Sequence, residues 1–404
     1  MKAIGLDLAI PRVLLTTLLG RLWKGVYFSP LSPLKVFDVP CPGLENPHWV
    51  RIRPRLSGIC GSDLTELFLH SDWRVYPLAV PGQGTGRYYL GHEAVGEVIE
   101  VGPAVTRFRV GDRAVGEGSA CLAKGVEPPC RNCAVGNYCL CLNLGQPGAI
   151  RSNGMWSEEL TIHEKALYRV PDALDDEAAV LIEPLACGVH AALRRPPAPG
   201  ERVLVYGVGT LGLSVLQAAR ALCPDCDITA VVQFPFQAEL AERMGADRTL
   251  RGGDLYAQAA ELTGARLHAG MLGTRILVGG FDLVYDCVGA PFSLENALRW
   301  TRAGGAVVLV GVTLSRMKLD LTPVWYREVT LYGTLAHGVE TLPVSGEKIT
   351  SFDLTVRWML EGKIQTDGLL THLFRLDDYR QAVQTAVDKR RTQAVKVAFD
   401  LREE

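Results

Sequence analysis

No segment of the 404-residue chain offers the ~20 consecutive apolar residues that a bilayer-spanning helix needs. The nearest approach, residues 8–19 (LAIPRVLLTTLL), is short and is interrupted by Pro11 and Arg12. It lacks the clean apolar run and small-residue cleavage site of a signal peptide, so it reads as a packed N-terminal extension. An excess of one charge sign is missing too. The 42 Lys and Arg against 44 Asp and Glu leave a net charge of −2, and the two signs are intermixed, which excludes a nucleic-acid footprint. Low-complexity segments and internal repeats are absent. What is left is a globular protein, expected to be cytoplasmic and without a membrane partner. Its length exceeds one ordinary core and predicts two domains.

Cysteine, by contrast, is plentiful. There are 11, and Cys121, Cys130, Cys133, Cys139 and Cys141 crowd into one stretch. Disulfide frameworks belong to small secreted chains; in a long chain without a signal peptide, clustered cysteines bind metal or stay reduced.

The first half has short alternating runs broken by Gly and Pro, such as 48–59 (HWVRIRPRLSGI) and 93–102 (EAVGEVIEVG), which predict strands. From about residue 200 buried-strand runs alternate with helical spacing: RVLVYG, LGLSVLQAARAL, DITAVV, FQAELAERMGA, FDLVYDCVG and GAVVLVGV. That alternation predicts a parallel, doubly wound α/β sheet. The tail adds a helical stretch at 377–388 and a strand-like run at 394–401, which fit either domain.

The strand RVLVY runs directly into Gly207-Val208-Gly209-Thr210-Leu211-Gly212. In a G-x-G-x-x-G turn, Gly207 permits the tight bend, Gly209 lets backbone amides approach a pyrophosphate, and Gly212 lets helix pack on strand. The phosphates would sit at the helix N-terminus, where unpaired N–H groups and the dipole favour anions. The acid that usually binds the adenine ribose of NAD about 20 residues later is missing. Gln233 stands at the end of the second strand; it can hydrogen-bond a ribose but carries no charge, and no Arg or Lys follows closely. The sequence leaves both NAD and NADP open.

Upstream lie Gly58-Ile59-Cys60-Gly61-Ser62-Asp63, Gly91-His92-Glu93 and Glu183-Pro184-Leu185-Ala186-Cys187-Gly188. Cys, His and carboxylate are the ligand types of a catalytic zinc that keeps one position open. A lone buried Cys or His is more often structural, but three such signals ahead of a dinucleotide loop form one constellation.

In these ordered landmarks, from GICGSD through GHEAVGEVIEVG, GDRAV, IEPLACG and GVGTLG to DCVG and AGGAVVLVGV, residues 35–404 resemble the zinc-dependent medium-chain dehydrogenase/reductases. The EPLACG form resembles their polyol, threonine and sugar dehydrogenase branch. The resemblance implies a GroES-like β-rich catalytic domain at 1–188, carrying the N-terminal extension and a zinc lobe at about 119–143. It implies a Rossmann domain at 189–338 and a segment, 339–404, returning to the catalytic domain, with the active site in the cleft between. It implies that Cys60 and His92 bind zinc, that Glu93 is a direct or exchanging ligand, and that Glu183 binds zinc or reaches it through water. Ser62 matches the hydroxyl that meets the substrate oxygen and passes its proton outward; Asp63 matches the group orienting the ligand His. Val288 of DCVG and Gly311 of LVGV fall at cofactor-binding positions. The implied reaction moves hydride between a secondary alcohol and NAD(P), with zinc as Lewis acid, in a homodimer or homotetramer.

The chain departs from the family where a relay histidine often follows the ligand Cys. Thr65 stands there, leaving Thr65, a water chain or Glu66 as routes for the proton. Residues 264–279 and 64–90 are also unusually long, which bears on the substrate. The family's second, four-cysteine zinc site matches Cys130, Cys133 and Cys141 at its last three positions, and its first position falls on Glu127. Closed zinc sites favour thiolate, so Cys121 is preferred over Glu127, with Cys139 as the bystander. Two other readings stand beside a dehydrogenase: a non-catalytic nucleotide-binding homologue, and a zinc-independent quinone or enoyl reductase of the same fold.

Overall fold

The computed structural model describes residues 1–41, 43–68, 87–118, 121, 126–143, 154–313 and 316–402. The chain divides into two units, Met1–Glu183 with Thr366–Glu404, and Pro184–Gln365.

Alternation builds the first unit. In β2 (Trp49–Gly58), Val50, Ile52 and Leu56 are buried, and Arg51, Arg53 and Arg55 take the other face. β2 pairs antiparallel with β3 (Glu93–Val101), with Leu160–His163, and with the C-terminal strand Lys396–Asp400. Val50, Ile52, Val98, Phe108, Leu160 and Leu167 close one core. The 377–388 helical run forms Tyr379–Val387, whose Tyr379, Ala382, Val383 and Ala386 repeat at helical spacing and pack in a core with Trp156 and Phe399.

Ahead of this sheet, β1 (Lys2–Asp7) pairs with Leu34–Asp38 and Arg87–Tyr89. Helix α1 (Ile10–Leu22) then qualifies the packed-extension reading. Its seated face carries Thr16 and Gly20, whereas Ile10, Leu14, Leu18 and Leu22, each one turn apart, are exposed. The cause lies at Gly20: a Cβ there would come within 2.5 Å of the Tyr27 hydroxyl, so the helix seats by its small face. Among the described residues no helix is long and apolar enough to cross a membrane.

The second unit holds six parallel strands: β4 (Arg202–Tyr206), β5 (Asp227–Val231), β6 (Arg248–Leu250), β7 (Phe281–Asp286), β8 (Thr301–Leu309) and β9 (Thr330–Gly333), in the order β6-β5-β4-β7-β8-β9. Winding outward in both directions from β4 is the doubly wound Rossmann arrangement. Register aligns the carboxyl ends, with Tyr206, Val231, Leu250, Asp286 and Leu309 in one row.

The return to the first unit begins at Thr366, later than the residue 339 read from the sequence. Residues 339–365 are tied to the second unit by polar contacts. Glu340 Oε1 lies 2.7 Å from His190 Nδ1 and accepts from the Ser351 hydroxyl, and Gln365 N–H donates to Gln217 Oε1 at 2.7 Å. The first unit likewise ends at Glu183, not residue 188, inside the helix Ile182–Arg194. The long 264–279 segment forms an antiparallel hairpin, Arg266–Ala269 with Arg275–Val278. Most of the long 64–90 segment, residues 69–86, lies outside the described residues.

Candidate metal and dinucleotide sites

β2 ends at Gly58, and α2 (Gly61–Leu67) starts two residues later with Cys60 as its N-cap. Cys60 N–H donates to Asp63 Oδ2 at 2.9 Å, so within the GICGSD run the acid of the first turn closes back on the residue that starts the helix. The other Asp63 oxygen accepts from Gly91 N–H at 3.3 Å and lies 3.6 Å from His92 Nδ1. One buried carboxylate thus holds both the Cys60 backbone and the approach to His92. Gly91 has φ +92, and a Cβ there would sit 2.4 Å from the Trp156 ring. Cys60, His92 and Glu93 bring one ligand atom each within 4.8 Å of one another. A thiolate, an imidazole and a carboxylate suit zinc and leave a coordination position open.

Glu93 begins β3 and is buried, at 2% exposure. Its carboxylate accepts from Lys396 Nζ, itself 3% exposed, and that ammonium also donates to Ile59 O at 3.3 Å. Cross-strand register explains the meeting: Ala398, Gly58 and Glu93 lie opposite one another on three neighbouring strands. A Cβ at Gly58 would fall 2.6 Å from Glu93 Oε2, so glycine opens the passage. Burial works against the Lys396 charge, but Glu93, Cys60 and Glu183 outweigh it and raise the pKa. Sequence reading missed Lys396. Its signal was a lone lysine inside the apolar run AVKVAFDL.

Glu183 sits in the first turn of Ile182–Arg194 and is not in the three-residue cluster; its field nevertheless reaches Lys396. The Thr65 hydroxyl is engaged, donating to Gly61 O at 3.0 Å. Among the described residues the Ser62 hydroxyl has no hydrogen-bond partner.

Cys121, Cys130, Cys133 and Cys141 form a second cluster, their sulfurs within 4.8 Å of one another, while Glu127 and Cys139 are not part of it. Cys121 and Cys141 sulfurs are 3.5 Å apart, Cys130 and Cys141 sulfurs 4.0 Å. A tetrahedral zinc with Zn–S near 2.3 Å sets sulfurs about 3.8 Å apart, so the cluster fits that ion. Donors already face the sulfurs: Cys130 N–H and the Asn143 amide to Cys121, Leu142 N–H to Cys130, and Asn143 N–H to Cys141. Backbone N–H groups of Cys133 and Leu142 lower the Cys130 thiol to about 6. A tetrahedral ion held by all four sulfurs would have no position left open.

In the second unit, α3 (Thr210–Leu222) opens on Gly209 directly after the turn at Gly207. Gly207 has φ +89, and a Cβ on it would strike Val288 Cγ2 at 2.4 Å; a Cβ on Gly212 would come within 1.9 Å of Gly207 O. Gly311 and Gly289 meet at the ends of β8 and β7, where a Cβ on Gly311 would sit 2.2 Å from Gly289 N. Buried Asp286 holds that corner, accepting from Val288, Gly289 and Ser293; burial raises its carboxyl pKa despite these donors. The cradle that Gly207, Val208, Gly209, Thr210, Leu211 and Gly212 form at a helix start fits a pyrophosphate. Gln233 lies exposed just past β5.

Comparison with known proteins agrees with this geometry. Residues 46–172 match the alcohol dehydrogenase GroES-like domain, and residues 210–350 the zinc-binding dehydrogenase family. An L-idonate 5-dehydrogenase of Vitis vinifera is 30% identical over 378 residues, 92% of this chain and 93% of its own length. A sorbitol dehydrogenase of Bacillus subtilis is 27% identical, covering 90% and 93%. The crystal structure of 2R,3R-butanediol dehydrogenase from Bacillus subtilis superposes with a TM-score of 0.69 at 27% identity, covering 91% and 96%. The chain belongs to the zinc-dependent medium-chain dehydrogenase/reductase family, whose general chemistry is NAD(P)-dependent oxidoreduction.

Proposed function

We propose that this chain is a zinc-dependent dehydrogenase that moves a hydride between a secondary alcohol of polyol, sugar or hydroxy amino acid type and NAD(P). The observation that carries the reading is the convergence of Cys60, His92 and Glu93 within 4.8 Å, with Ser62 two residues from Cys60 and its hydroxyl without a hydrogen-bond partner among the described residues. Zinc, when bound, would supply Lewis-acid polarisation of the alcohol oxygen, and nicotinamide would accept the hydride. Cys60 and His92 would hold the ion, with Asp63 fixing both by hydrogen bond and charge. Lys396 pairs with the buried Glu93 carboxylate and would position it as an exchanging ligand. Ser62 would accept the substrate hydroxyl proton and pass it outward. With Thr65 committed to Gly61 O, the onward proton leaves through Glu66 or water. The named relatives act on L-idonate, sorbitol and a butanediol, which supports a carbon bearing one hydroxyl beside another.

The test is a panel of polyols, sugars and amino alcohols with NAD and NADP, read by nicotinamide absorbance and paired with metal analysis. The reading expects two zinc ions per chain and turnover on at least one secondary alcohol. No turnover with zinc bound would sink it and leave the non-catalytic reading. Turnover that survives removal of the Cys60 zinc would favour a zinc-independent reductase. A homodimer or homotetramer is the assembly proposed, checked by sedimentation.

A further inference from the structure

The strand ends of the second unit carry a cation where the sequence showed only a missing anion. A dinucleotide with its pyrophosphate on the Gly207–Gly212 turn carries its adenine ribose to the end of the neighbouring strand, β5. That strand end reads Val232-Gln233-Phe234, with no carboxylate to bind ribose hydroxyls or repel a phosphate. The Gln237 amide fixes this turn: its oxygen accepts from Gln233 and Phe234 N–H at 3.0 and 3.1 Å, and its nitrogen donates to Val208 O at 3.5 Å.

Strand β6 lies on the other side of β5. Val231 pairs with Leu250, and Val232 N–H donates to Leu250 O at 3.0 Å, so the next residue, Arg251, falls beside Val232. Adjacent strands are about 4.8 Å apart, well within the length of an arginine side chain. Arg251 is exposed and has no hydrogen bond or ion pair among the described residues. The next acid along the chain, Asp254, is taken: Arg275 Nη1 holds both its oxygens at 2.8 and 2.7 Å. Gly252 and Gly253, at φ +63 and +59, turn the chain away after Arg251 without adding side chains.

We infer that Arg251 and Gln233 form a phosphomonoester subsite for the 2′-phosphate of NADP, making NADP the preferred nucleotide. This rests on the dehydrogenase reading and decides which cofactor serves it. Arginine suits the role because its planar donor fork matches phosphate oxygens, and a charge-assisted pair is stronger than a neutral one.

Direct binding tests the inference without turnover. The zinc-loaded protein is titrated with NADP+ and with NAD+ by calorimetry, with no alcohol present. NADP+ should bind about tenfold tighter or better, and added salt should weaken it more than NAD+. Arg251→Ala should lower the NADP+/NAD+ affinity ratio about tenfold, and Arg251→Lys should restore part of it. Gln233→Asp should invert the preference by repelling the phosphate. Free 2′-AMP should compete with NADP+ on the unaltered protein and lose that ability with Arg251→Ala. Equal or tighter binding of NAD+, or an Arg251→Ala change that weakens both nucleotides alike, overturns the NADP subsite and leaves the dehydrogenase reading standing. Binding of neither nucleotide overturns both.

Discussion

The two thiol clusters of the first unit use the same element of chemistry to opposite ends. Around Cys60 the donors are of three kinds, and the second layer is charged: Asp63 behind His92, Lys396 behind Glu93. Around Cys121 all four donors are sulfur, and the second layer is neutral N–H groups. Four thiolates close a tetrahedral ion completely; a thiolate, an imidazole and a carboxylate leave it a place for substrate. Composition alone does not make the difference. The first cluster is assembled from the turn after β2 and the start of β3, backed by Lys396 of the C-terminal strand, whereas the second comes from one loop that its own metal would hold together.

The largest expected effect comes from Cys60→Ala. It should remove one zinc of two and all measurable alcohol oxidation while leaving the other zinc in place, read by metal analysis and nicotinamide absorbance. Loss of both ions would mean that the two clusters are not independent. Cys121→Ala should do the reverse: lose the other zinc, lower the Tm by roughly 5–10 °C, and keep turnover in the protein that stays folded. If Glu127→Gln rather than Cys121→Ala costs that zinc, the all-thiolate description fails.

Lys396→Met sharpens the role of the charged layer. Removing one partner of a buried pair strands the other charge, so the zinc-free protein should lose about 3 kcal/mol in denaturant unfolding. Bound zinc would supply a substitute positive charge for Glu93, so the loss should shrink in the zinc-loaded protein. An equal loss in both forms would show that Glu93 does not exchange onto the metal.

An effect confined to acid adds to any acid-driven loss of either metal. His337, in the second unit, packs edge-on against Phe352, with ring centroids 4.7 Å apart. Burial first, and the nearby His190 second, lower its pKa to about 4. An unfolded histidine titrates near 6.5, so the unfolded chain binds a proton that the folded chain refuses. Its contribution is complete above pH 6.5 and is lost as pH falls toward 4, by up to about 3 kcal/mol. His337→Phe should flatten the dependence of unfolding stability on pH across that window. Parallel pH profiles for the two proteins would refute the assignment.

Most of the fold could be read ahead of the structure because its signals are local. RVLVY followed by GVGTLG is a strand, a tight turn and a helix start in consecutive residues, and each glycine answers a close approach within that unit. In GICGSD the Asp63 carboxylate closes back on the Cys60 N–H three residues earlier. What escaped was carried by chain segments far apart. Lys396 meets Glu93 across 303 residues because the C-terminal strand pairs with β2 and glycine stands at position 58. The return point moved from 339 to 366 because Glu340, Ser351 and Gln365 find polar partners that no periodicity announces. The exposed leucines of α1 escaped for a related reason: apolar content predicts burial only if a neighbour is there to receive it, and the neighbour here, Tyr27, fits Gly20.

The sequence by itself determined the kinds of atoms available: a Cys, His and carboxylate constellation, a cysteine-rich loop, a glycine turn, and no acid after the second Rossmann strand. Those depend on residue type and short spacing. Tertiary structure alone decided which of them meet. It put Cys121 rather than Glu127 in the four-cysteine cluster, a lysine behind Glu93, and Arg251, without a partner among the described residues, at the strand end next to Val232. The last two depend on strand order and register, which bring together residues that the chain keeps apart, and the first on how one loop folds back on itself.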